Sequence, residues 1–245
     1  MFDVHAAPDV IDRIGNDDDI CAEYEAAGFS GIVLISHHDS TVGRAAALDR
    51  HSTMDVVGGV ALSCAVGGIN PAAVVAALTS GGRVVWFPTA DSHTQQAAGL
   101  PRLRDLDARR DATVRSLPPL VAEDSSAARN AHHILDLIAE HDAGLCTGHV
   151  SRPECARLLD EAQSRGISRI LLTHPSYTVP GMSPGEIEEL AERGAYVEIT
   201  AFQLWHQSGM TVEKLAAVAW AAGPRLDRAA LDDATDSIPR KLVLT

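Results

Sequence analysis

Two histidines each close a short apolar run: GLCTGH ends at His149 and RILLTH at His174. A neutral imidazole nitrogen is a good donor to zinc-like divalent ions. Two or three such donors with a carboxylate leave one coordination position open for water, as metal-assisted hydrolysis requires. A carboxylate and a further imidazole stand in FDVH near the N-terminus, where Asp3 and His5 alternate along one run and so share a face of a strand. Asp3, His5, His149 and His174 are therefore the candidate metal ligands. His37 and His38 follow GIVLIS and would supply a further ligand, a proton shuttle or a substrate contact. Adjacent residues at a strand end point in opposite directions, so one of the two is expected to face solvent; His37 is taken as the catalytic candidate and His38 as a substrate contact. Thr41 and Arg44 just beyond, and Trp86 and Thr89 in VVWFPT, are further candidate substrate contacts. Glu198 in AYVEIT is a carboxylate inside a run expected to be buried, where it must be paired, protonated or metal-bound, and it is the second catalytic candidate. His93, His132, His133, His141 and His206 fall in loops or on helices and read as surface residues.

Such groups act together only if strand ends converge. Runs rich in β-branched residues or leucine recur at 2–6, 31–36, 56–63, 83–88, 144–149, 169–174, 195–200 and 241–245, and helical patterns lie between them. Alternating β and α units demand a parallel sheet with right-handed crossovers, and eight strands favour a closed (β/α)8 TIM barrel over an open sheet. The carboxyl ends of its strands would form one rim, which is where a barrel of this kind holds its site. Helix punctuation agrees. Ser151-Arg-Pro-Glu154 and Ser183-Pro-Gly-Glu186 have capping-box spacing with proline in the first turn, and Gly166 and Gly194 follow the apolar periodicity of 154–165 and 186–193. One stretch breaks the rhythm: residues 90–124 are long, polar and rich in arginine and proline, and they follow the fourth strand as a lid over the rim would. No linker divides the 245 residues, so one domain is expected.

Composition narrows the function classes. Apolar residues make up 46% of the chain, enough for a sizeable core, and 33 acidic against 20 basic residues give a formal charge of −13, which disfavours a nucleic-acid partner. No apolar run approaches the roughly 20 residues needed to span a bilayer, and MFDVHAAPDV lacks a signal peptide's basic and apolar regions, so no membrane association and a cytoplasmic location are expected. Cys21, Cys64, Cys146 and Cys155 share no CxxC spacing and read as reduced structural thiols. Gly58, Gly59, Gly67 and Gly68 lack the Lys-Ser/Thr of a phosphate loop and the helix placement of a dinucleotide fingerprint, so no nucleotide cofactor is expected. A homo-oligomer is possible only on the general ground that closed symmetric assemblies are common among soluble enzymes.

The segments FDVHAAPD, VLISHHDSTVGRA, VGGVALSCAVGGINPAAVVAAL, GGRVVWFPTADS, GLCTGHVSRPE and RILLTHPSY, in this order, resemble the DUF6282 group of amidohydrolase-related proteins over nearly the whole chain. VGGINPAAV followed by VVWFPT is the most distinctive part; strand-end histidines are shared with the wider amidohydrolase superfamily and with PHP phosphoesterases. The resemblance implies a metal-dependent TIM-barrel hydrolase with ligands at the first, fifth and sixth strands, here Asp3 and His5, His149, and His174, and a general-base aspartate just after the eighth. Two departures stand out. The superfamily's first strand usually reads H-x-H, and Asp3 occupies the first of those positions, which shifts preference somewhat toward harder ions such as Mn²⁺ or Mg²⁺, with zinc still expected foremost and iron possible. The eighth run, RKLVLT, stops at Thr245 just before that aspartate, so truncation is expected, with Asp232 or Asp233 as the alternative source of the carboxylate. The expected reaction is attack of metal-activated water on a C–N or C–O bond of a small molecule such as an amide, cyclic amide or lactone. A PHP-like phosphoesterase and a barrel that binds a small molecule without turnover are the alternatives.

Overall fold

The structure is a computed structural model that describes residues 2–6, 16–37, 39–100, 125–200 and 202–223; for 2–6 the description covers the backbone alone. His38, residues 101–124 of the expected lid, Asp232, Asp233 and the expected eighth strand at 241–245 lie outside the described residues, as do the side chains of Asp3 and His5.

Seven strands are found among the described residues: β1 (Phe2–Ala6), β2 (Gly31–Leu34), β3 (Asp55–Ala61), β4 (Val84–Trp86), β5 (Gly144–Cys146), β6 (Ile170–Leu172) and β7 (Tyr196–Val197). All pair in parallel and in chain order, β1 to β7. Nine α-helices among the described residues connect or follow them: α1 (Asp17–Ala26), α2 (Val42–Asp49), α3 (Pro71–Thr79), α4 (His93–Ala97), α5 (Ser126–Glu140), α6 (Arg152–Ser164), α7 (Pro184–Glu192), α8 (Phe202–His206) and α9 (Val212–Ala222).

Side chains alternate across each strand, so the two faces of the sheet carry different residues. Val60, Leu62, Val85, Phe87, Leu145, Ile170 and Leu172 face outward and pack against apolar residues of α3, α5, α6 and α7. Ile32, Leu34 and Val56 do the same against α1 and α2. The other face gathers Val33, Ile35, Val57, Ala61, Val84, Trp86, Cys146 and Leu171 into one buried cluster with Tyr196 against it, and no helix contributes to it among the described residues. In an open doubly wound sheet this second face would be covered by helices. Strand residues covering one another instead mean that the sheet curls, giving an α/β fold with an all-parallel partial barrel. Closure into eight strands is not part of the described structure.

The helix signals hold as read. The Ser151 N–H donates to Glu154 Oε2 at 2.8 Å and the Ser183 N–H to Glu186 Oε2 at 2.9 Å, closing both capping boxes. Gly166 and Gly194 take φ of 77° and 103° just past their helix ends. From β2 to β7 the strands are shorter than the apolar runs, whereas β1 matches the run at 2–6. At β5 the ladder stops at Cys146 because Gly148 turns to φ 63°, and the His149 N–H then reaches Pro88 O at 2.8 Å. Among the described residues the last residues of the runs at β2 to β7 therefore lie beyond the ladder at the rim, and they carry the polar groups. No described helix is long and apolar enough to cross a membrane.

Candidate functional site

The rim at β4, β5 and β6 is tied together by short polar bonds. Gly148 is the residue that permits it: a Cβ there would stand 2.1 Å from Phe87 O, and its φ is in the left-handed region that glycine tolerates. The Gly148 N–H donates to Thr173 Oγ1 at 3.0 Å, and the Thr173 N–H donates to Thr147 Oγ1 at 3.1 Å, stitching the β5 end to the β6 end. His174 follows at φ 24°, and its backbone N–H donates to Glu198 Oε2 at 2.9 Å from the end of β7.

These turns bring the imidazoles of His149 and His174 together at the rim, tilted by 57° to each other. Their Nε2 atoms are 3.2 Å apart, their ring centroids 4.9 Å apart, and both residues are buried. His37, at the end of β2, stands next in line with its ring 6.2 Å from that of His149, and its Nδ1 is 2.8 Å from the buried Thr89 hydroxyl at the end of β4. On the other side, Tyr177 meets His174 edge-on at 5.4 Å, Phe202 follows Tyr177 at 6.0 Å, and His206 stacks on Phe202 at 4.0 Å. Three imidazoles and an aromatic row thus run along one arc of the rim. Burial holds the Tyr177 hydroxyl above its ordinary range, so it stands there as a neutral hydrogen-bonding group. Below the rim, burial pushes the Cys146 thiol well up, with the Glu198 carboxylate adding to the effect.

Of the sequence candidates, His37, Thr89, His149, His174 and Glu198 come together here. Thr41, Arg44 and Trp86 are engaged elsewhere. The Thr41 hydroxyl donates to Leu34 O at 2.6 Å and accepts the Gly59 N–H at 3.0 Å, clamping β2 to β3. Arg44 donates to both Asp17 oxygens at 2.7 Å and to Asp39 at 3.0 Å, and those bonds, Asp17 foremost, hold its guanidinium above its already high range. Trp86 points into the inward cluster and is 1% exposed, so it packs as core below the rim. Among the histidines read as surface residues, His93 lies 3.4 Å from the buried Glu154 carboxylate, and His132 is 3.2 Å from Glu161.

Sequence reasoning missed Gln95. Its Oε1 lies 3.0 Å from His149 Nδ1, and the neighbouring Thr94 hydroxyl donates to His149 O. The signal was present as Ser92-His-Thr-Gln95, a capping-box spacing inside the segment read only as lid. Ser92 does cap α4, accepting the Gln95 N–H at 3.1 Å, but the glutamine side chain turns to the histidine.

The imidazole pair fits a metal ion. Two nitrogens 3.2 Å apart, each about 2.05 Å from a shared ion, subtend about 103° at it, close to tetrahedral. Among the described residues no group of three or more His, Cys, Asp or Glu side chains is arranged to hold one, and the remaining candidate ligands, Asp3 and His5, have side chains outside that set.

Fold and rim together define a class: α/β proteins whose parallel strands present imidazoles at their carboxyl ends. Within it, the chain belongs to DUF6282, a family of unknown function whose profile matches residues 2–198, a span that contains His37, Thr89, Gln95, His149, His174 and Glu198. A crystal structure of an uncharacterized protein is similar over 81% of this chain and 50% of that one, at 14% identity and a TM-score of 0.41, so the chain spans half that protein's length. No curated protein matches it.

Proposed function

We propose that this chain is a metal-dependent hydrolase of the amidohydrolase type on a (β/α)8 barrel, acting on a C–N or C–O bond of a small molecule such as an amide, cyclic amide or lactone. The observation that carries the reading is the 3.2 Å approach of His149 Nε2 to His174 Nε2 at the carboxyl end of a parallel sheet. Asp3 and His5 on β1 would complete the ligand set. A bound divalent ion, zinc foremost with manganese, iron or magnesium as alternatives, would supply Lewis acidity and bring the pKa of water toward neutrality.

The protein groups have separate tasks. Burial of His149 and His174 excludes bulk water from the pair, which strengthens every charge interaction there. Thr89 orients His37 through Nδ1, which leaves its Nε2 to take a proton from the attacking water and return it to the leaving group. Glu198 acts through the His174 backbone and holds that ring toward His149. Tyr177 and Phe202 offer flat apolar surface beside the reacting centre.

Metal content of protein purified without chelator tests the reading. The expected result is about one or more equivalents of a transition metal in the wild type, lost in the His149→Ala/His174→Ala double variant, and hydrolysis of a member of a lactone and amide panel. Phosphoester hydrolysis with manganese in place of that activity would favour a PHP-like enzyme. Absence of metal from the wild type would leave a barrel that binds without turnover.

A further inference from the structure

We propose that Gln95 is the positioning residue for His149, fixing it as the Nδ1–H tautomer so that an unprotonated Nε2 faces His174. A neutral imidazole carries one N–H, and the ring nitrogen that faces an acceptor is the one that keeps it. Gln95 Oε1 is such an acceptor, 3.0 Å from Nδ1, and Gln95 is 7% exposed, so little water competes for the bond. With the amide oxygen toward the ring, the opposite tautomer would set a nitrogen lone pair against a buried carbonyl oxygen and could be met only by turning the amide over to bring its NH2 to Nδ1, a rearrangement that Gln95→Glu, with acceptors alone, does not allow.

The rest of the histidine is held from the same stretch of chain. The Pro88 carbonyl takes its N–H at 2.8 Å, and the Thr94 hydroxyl donates to its carbonyl. Ser92 caps α4 by accepting the Gln95 N–H, which fixes where the glutamine side chain starts. Residues 88–95 therefore grip His149 by its backbone on both sides and by its ring. An amide here orients the ring without adding a negative charge to a rim that already buries Glu198 against the His174 N–H and Glu154 against His93. The use of Nε2 as a metal donor rests on the hydrolase reading above; the tautomer itself does not.

Long-range ¹H–¹⁵N spectra of the imidazoles in metal-stripped full-length protein, assigned with a His149→Gln variant, read the tautomer directly. The expected result is Nδ1–H at His149 in the wild type and in Gln95→Glu, where either side-chain oxygen can accept, and a mixture of tautomers in Gln95→Leu. A cobalt(II) titration is expected to show affinity about 10- to 100-fold weaker in Gln95→Leu and largely restored in Gln95→Glu. An Nε2–H tautomer in the wild type overturns the proposal, as does Gln95→Leu with unchanged tautomer and unchanged cobalt affinity. Nδ1–H in a wild type that binds no cobalt would remove the metal reading and support the positioning role.

Discussion

Glu198 accepts the backbone N–H of His174 at 2.9 Å where that residue turns to φ 24°, a conformation few side-chain-bearing residues hold. The bond is buried, so its donor has no water to fall back on. Glu198→Ala should destabilise the protein by about 2 kcal/mol and weaken cobalt binding, whereas Glu198→Gln, which keeps an acceptor, should lose less than about 1 kcal/mol. Urea midpoints and cobalt titrations of the two variants check this; equal losses would show that the acceptor is not what holds the turn.

Gly148 gives a sharper test of the same rim. An added Cβ meets the Phe87 and Pro88 carbonyl oxygens at 2.1 and 2.6 Å, both backbone, in a left-handed conformation. Gly148→Ala should cost on the order of 3 kcal/mol and move His149, which a lower thermal midpoint and a changed imidazole NMR signal would report.

Arg44 should behave as a structural residue. Its guanidinium joins Asp17 and Asp39, and its side chain is 29% exposed, so Arg44→Ala is expected to lower stability by about 1 kcal/mol while leaving metal affinity unchanged. A loss of cobalt binding or of substrate turnover at unchanged stability would return Arg44 to the site.

The thiols predict an alkaline limit. Burial pushes Cys64 up to about 12, with Asp91 adding to it, and burial pushes Cys155 up to about 12, from an ordinary 9.0. Between those values the native state keeps protons that the unfolded chain has released, so this contribution to stability is complete below about 9 and is lost as pH rises toward 12. At pH 8 both thiols should react with iodoacetamide far more slowly in native protein than in urea-unfolded protein; equal rates would contradict the shift.

Much of this was legible in the sequence because it is local. Strand-like runs alternating with capped helices fixed a parallel α/β sheet, since apolar periodicity, Ser151 and Ser183 caps, and Gly166 and Gly194 stops act within a few residues of where they stand. The terminal histidines of two such runs marked His149 and His174 for the same reason. Only the tertiary structure decided which group each polar side chain meets. Arg44 went to Asp17, Thr41 to the β2 and β3 backbone, and Trp86 into the inward core, while Gln95, on the short helix α4 inside the stretch expected to be a lid, reached His149. Those partners are set by strand register and by the left-handed turn at Gly148, which join residues far apart in the chain, and no short-range pattern of residue types encodes a distance across a sheet.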